Sequence, residues 1–98
     1  MKAQVDKARQ IQLRRFAGRN ISFNSEMTTN DIKKYCALGK EQMEIMDKAY
    51  TAMRLTGRGY HKILKTARTI ADLDESEDIT AHHLYEAISF RNYDRGMN

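Results

Sequence analysis

This sequence predicts an all-α fold, a small bundle of about five helices, on three observations. The 98 residues hold no proline and five glycines, so little interrupts helical structure. Apolar residues recur at intervals of three and four, the spacing of one buried helical face, and nowhere alternate strictly as in a half-buried strand. With 41% hydrophobic and 31% charged residues, the composition is that of a globular domain. One domain, 1–98, is expected, with 91–98 as a flexible tail, and no internal repeat or low-complexity segment divides it.

The elements follow in chain order. A first helix, about 3–17, places Val5, Ala8, Ile11 or Gln12, and Phe16 on one side and ends at Gly18, the residue best suited to a left-handed helix cap. A polar segment, 19–27, is expected to be the most mobile internal loop. A short helix over about 29–35 starts at Thr28, whose hydroxyl can accept from the amide of Asp31 while Asp31 suits the first turn. Gly39 opens a third helix with a stripe of Met43, Met46, Ala49, Tyr50 and Met53. Methionine is an ordinary core filler, and that reading is taken over an adaptable groove for a partner helix. Thr56 caps the fourth helix, whose Tyr60, Ile63, Leu64, Ala67, Ile70 and Ala71 face inward. Arg68 and Asp72 are spaced as an i, i+4 pair, usually worth about 0.2–0.5 kcal/mol. Thr80 caps the fifth helix, with Ile79 and Leu84 as a hydrophobic staple and Leu84, Ala87 and Ile88 inward.

The net charge of +4 is unevenly distributed. Lys2, Lys7, Arg9, Arg14, Arg15 and Arg19 face only Asp6 before residue 24, whereas the run DLDESED, 72–78, holds five acids in seven residues. Such a basic start suits nucleic acid or an acidic protein surface, and equally a solvated helix face. Cys36 is the single cysteine, so an internal disulfide is excluded and a reducing, cytoplasmic setting is expected. Neither a signal peptide nor an apolar run of transmembrane length occurs, so no membrane partner is expected.

Several chemical motifs fail on geometry. Asp72, Asp74, Ser76 and Asp78 have the spacing of a calcium loop, but Glu77 stands where the sharp turn needs glycine and His83 where a bidentate glutamate is needed. The pair Asp74 and Glu75 imitates the acidic end of an ATPase strand within a segment whose period is helical. His82 and His83 are neighbours, so on a helix they point about 100° apart and do not share a metal as an i, i+4 pair does. With no phosphate-binding glycine loop and no nucleophile or carboxylate set at catalytic spacing, no catalytic or metal-ligating residue is assigned to the chain alone.

One residue remains unexplained. Arg58 falls in the first turn of the fourth helix, where the macrodipole favours acids and a cation costs about 0.3–1 kcal/mol. The string GRGYHKILKTARTIADL that contains it, followed by an acidic turn and DITAHHLYEAISFR, resembles the C-terminal domain of the magnesium-chelatase-like, ComM-like AAA+ ATPase family. The opening VDKARQIQLRR and the middle YCALGKEQMEIMDKAY are similar to the same family, while FAGRNISFNSEM departs from it as a lengthened loop. The resemblance covers about 5–91 and is most specific over 58–73.

That resemblance implies a helical lid over a nucleotide, with Arg58 as the sensor 2 arginine on the ATP phosphates and with Thr56 and Gly57 at the helix N-terminus beside them. A phosphate there would turn the awkward arginine into a favourable one, through free amides and a bidentate guanidinium. Lys62 and Lys65, on the same polar face, are expected as a solvated or subunit-facing surface. The implied cofactor is ATP with Mg2+ in a full-length parent, none held tightly by this chain alone. Implied partners are an upstream AAA+ core domain and neighbouring subunits of a ring, hexameric by analogy, with DNA as a further candidate. The alternative is a free-standing basic helical DNA-binding domain, in which the third and fourth helices act as a helix-turn-helix presenting Arg58, Lys62 and Lys65.

Overall fold

The computed structural model describes the backbone of residues 2–96 and the side chains of residues 3–91. Its five helices are α1 (Lys2–Arg15), α2 (Thr29–Tyr35), α3 (Lys40–Ala52), α4 (Gly57–Leu73) and α5 (Ala81–Gly96), with a 3₁₀ turn at Asn24–Glu26, and no strand occurs among the described residues. The all-helical expectation is met. The tail expected over 91–98 falls, beyond Arg91, outside the residues whose side chains are described.

Helix α4 is the centre of the bundle. It packs against α1, α2, α5 and the 3₁₀ turn, while α3 reaches the core by packing on α5. Its Ile63, Leu64, Ala67, Ile70 and Ala71 are buried together with Phe16, Met27, Ile32, Met46, Leu55, Ile79, Leu84 and Ala87. The capping chemistry legible in the sequence sets three helix starts. Thr28 and Asp31 form a reciprocal capping box at α2, and the Thr56 hydroxyl accepts from the Gly59 amide at 3.0 Å. At α5, Ile79 and Leu84 are buried on either side of Thr80, as a staple requires. Helices α3 and α4 both end with a non-glycine residue in the left-handed region, Arg54 (φ 51°) and Glu75 (φ 56°). The next amides close the turns, Leu55 N on Tyr50 O at 3.1 Å and Ser76 N on Ala71 O at 2.8 Å.

Four expectations need correction. Val5 is 47% exposed, because α1 meets α4 along Ala8, Gln12 and Phe16, spaced by four, and Val5 lies off the start of that stripe. In α3 only Met46 and Ala49 are buried. Met43 (52% exposed) and Tyr50 (46%) stand seven residues apart on a flank that the contact with α5 leaves open. The pair Arg68 and Asp72 lies inside the bundle, with both side chains at most 5% exposed. Finally, the 19–27 segment is anchored. Asn24, in its middle, is buried, with its amide donating to Gln12 Oε1 at 3.0 Å and its Nδ2 to Asp72 Oδ2 at 2.8 Å and Thr69 Oγ1 at 3.1 Å.

The reason for the last two corrections is shared. Asp72, 1% exposed, accepts both guanidinium nitrogens of Arg15 at 2.8 Å, Asn24 at 2.8 Å, and Arg68 at 3.3 Å. A buried carboxylate must be compensated this fully or it would be neutralised. Hydrogen bonding to Asp72 in turn holds Arg15 firmly charged. Polar residues that read as loop are thus drawn inward by one charge on α4.

Candidate functional site

The start of α4 faces a cavity of about 1020 Å³. The Thr56 cap with Arg58, Gly59, Lys62, Lys65, Thr66 and Thr69 of α4 forms its floor, Ser25, Met27, Thr28 and Thr29 one wall, and Phe90 and Arg91 of α5 another. Arg58, His61, Lys62, Lys65 and Arg91 line it, and among the described residues no aspartate or glutamate does. Cations crowded in a concavity without a counter-charge raise the local positive potential and concentrate anions there.

Arg58 stands where the sequence placed it. It lies in the first turn just after the Thr56 cap, exposed, and makes no hydrogen bond or ion pair among the described residues. Thr56 lines the cavity beside it, its hydroxyl occupied by the Gly59 amide, whereas Gly57 is not part of the lining. The first amides of the helix, Gly57 and Arg58, have no intrahelical acceptor. Lys65 is not merely solvated. Its Nζ donates to Ser25 O at 3.2 Å and so ties the cavity wall to the floor.

That wall depends on the buried polar network. Thr69 donates to Lys65 O at 3.1 Å and accepts from Asn24, which Asp72 and Arg15 hold from below. Asp72 therefore shapes the groove without entering it. Sequence reading missed this contribution, and it missed Arg91, because nothing local to either residue reports a partner supplied by another helix.

The other flagged residues are structural. The Thr80 amide donates to His83 Nδ1 at 2.9 Å, which leaves Nε2–H to donate to Asp74 Oδ2 at 2.9 Å, so buried His83 links the start of α5 to the end of α4. His82 bonds Glu86 at 2.8 Å on the surface. Among the described residues no group of three or more His, Cys, Asp or Glu side chains is placed to hold a metal ion. Burial pushes the Cys36 thiol up to about 11, the behaviour of a core residue. Part of the basic start is also spent internally, since Arg15 pairs with Asp72, Arg19 with Asp31, and Lys7 with Glu75 at 3.7 Å. No described helix is long and apolar enough to cross a membrane.

Bundle and groove together define a small helical domain that offers a basic concavity, free of acids among the described residues, at the start of its central helix. The chain belongs to the family described as magnesium chelatase, subunit ChlI C-terminal, which it matches over residues 1–91. It is 36% identical over 91 residues to competence protein ComM of Haemophilus influenzae, a match covering 93% of this chain and 17% of that protein. It is 35% identical over 95 residues to the uncharacterized protein YifB of Escherichia coli K12, covering 97% of this chain and 18% of YifB. A YifB of Salmonella typhimurium is 34% identical over 77 residues, 79% of this chain and 15% of the relative. The chain thus spans less than a fifth of the length of the curated relatives it matches.

Proposed function

We propose that this chain is the helical lid of a magnesium-chelatase-like AAA+ ATPase and that Arg58 is its sensor 2 arginine, contributing to ATP binding and hydrolysis and to ring assembly. The observation that carries the reading is Arg58 itself: a guanidinium in the first turn of α4, without a partner among the described residues, on a groove lined with cations and, among those residues, free of acids. Family membership supports the same assignment. The residues fit a nucleotide. Arg58 would take the phosphates with the open amides of Gly57 and Arg58, Thr56 would hold the turn that aims them, and the apolar Met27, Ile70, Leu73 and Phe90 would meet the base. ATP with Mg2+ supplies the phosphoanhydride that an upstream core domain would cleave. The lid would close over it and pass its nucleotide state to neighbouring subunits of a ring, hexameric by family analogy. The work done by such a ring, on DNA or as a chelatase motor, follows from other parts of the protein.

The helix-turn-helix reading has less support. A recognition helix must protrude into a groove of DNA, whereas α4 is the central helix, packed by α1, α2 and α5, and its basic side chains floor a concavity.

The test is steady-state ATP turnover by the full-length ATPase. Arg58→Ala should leave the melting temperature unchanged and lower turnover at least about tenfold, Arg58→Lys should recover part of it, and Lys33→Ala, exposed on α2, should have no effect. Wild-type turnover in Arg58→Ala would refute the assignment.

A further inference from the structure

Arg91 is the other guanidinium on the groove, and its surroundings are unusual. Its Nε is buried without a hydrogen-bond partner, and no ion pair or hydrogen bond engages its side chain among the described residues. Arg68 also has an unpartnered Nε, but its other nitrogens are held by Ser76 O at 2.7 Å, Glu77 O at 2.8 Å and the Asp72 carboxylate. Among the described residues Arg91 has no such compensation.

It reaches the first turn of α4 through a gap left by a glycine. A methyl group added at Gly59 would lie 3.2 Å from Arg91 Nη2, inside normal van der Waals contact. Helix α4 thus forgoes a side chain in its first turn, at a cost in helix propensity, and the guanidinium of α5 occupies the space. The result sets a second arginine at the positive end of the helix that carries Arg58, on the same groove, with no acid lining it among the described residues. Macrodipole and like charge disfavour this arrangement in the free protein, and an anion bridging the two guanidiniums relieves both.

We propose that Arg91 is a second phosphate-binding residue, so that Arg58 on α4 and Arg91 on α5 grip a polyphosphate from two helices, with Gly59 as the clearance that lets Arg91 in. This deepens the lid assignment and rests on it. A two-helix grip makes the α4–α5 packing part of the nucleotide contact, so Arg91 would report bound phosphate to α5.

The experiment is a titration of the 15N-labelled chain with inorganic tripolyphosphate, followed by NMR. The Nε–Hε signal of Arg91, shielded from water, should shift along the same isotherm as the backbone amides of Gly57, Arg58 and Tyr60. Arg91→Ala should weaken binding at least about tenfold, the loss expected for one charge-assisted contact, with Arg91→Lys between it and wild type, and Gly59→Ala should weaken it less, because Arg91 Nη2 needs to shift only slightly. If the amides shift while Arg91 Nε–Hε stays fixed and Arg91→Ala binds like wild type, the second arginine is wrong and the Arg58 assignment survives. If neither responds, the two-arginine grip is wrong, and the Arg58 assignment stands or falls on turnover by the full-length ATPase. Adenosine, which has no phosphate, should leave both still, and shifts with adenosine equal to those with tripolyphosphate would overturn the proposal by assigning the groove to the nucleoside.

Discussion

Replacing Asp72 with asparagine tests the network that shapes the groove. The substitution keeps size and one acceptor but removes the charge that two buried arginines share, at 2.8 Å from Arg15 and 3.3 Å from Arg68. Their side chains are 12% and 5% exposed, so solvent does little to compensate. Breaking a buried ion pair by removing one partner costs about 3–5 kcal/mol. A domain of this size has a total stability of about 5–15 kcal/mol, so the variant should be marginal. With a urea slope of roughly 2 kcal/mol per molar, the unfolding midpoint followed by far-UV circular dichroism should fall by about 2 M. Amide exchange at Asn24 and Met27 should quicken as the groove wall loosens. Arg15→Met should cost less, because Arg68 and Asn24 remain to hold Asp72. Lys7→Ala is the control, since its contact with Glu75 is 3.7 Å long with both ends more than half exposed, and it should stay within about 0.5 kcal/mol. A loss below about 1 kcal/mol for Asp72→Asn, the level of an exposed pair, would refute the idea that this network holds the segment in place.

Thr56→Ala removes the cap of α4 and should cost about 1 kcal/mol, read as a melting temperature lowered by about 4–8 °C. Asp31 is held down to about 2 from an ordinary value of 3.8, first by the Arg19 guanidinium and then by the Thr28 backbone. Its contribution to stability is therefore complete above about pH 4 and lost as the pH falls towards 2, and Arg19→Ala should move the carboxyl titration seen by 13C NMR upward. Cys36 in the folded chain should react with iodoacetamide at pH 8 far more slowly than in the urea-unfolded chain, and equal rates would contradict its burial.

The sequence by itself determined what is local. Helix starts were legible because capping chemistry acts within four residues: Thr28 with Asp31, Thr56 with Gly59, and Ile79 with Leu84 all sit where their spacing placed them. The inward face of α4 was legible because a central helix buries a broad stripe that periodicity reports directly. Arg58 was legible as an anomaly of its own first turn. In α1 and α3 the same periodicity over-assigned Val5, Met43 and Tyr50, since an outer helix buries a narrower stripe and only packing against its neighbour selects which residues fill it. Tertiary structure alone decided the rest. Polarity reads as solvent exposure unless a distant charge demands partners, and Asp72 draws Arg15 and Asn24 inward from remote parts of the chain. Arg91 reaches Gly59 only because α5 folds back along α4. Long-range electrostatic compensation leaves no periodic trace in a sequence, because it depends on which residues the packed helices bring within a few ångströms of one another.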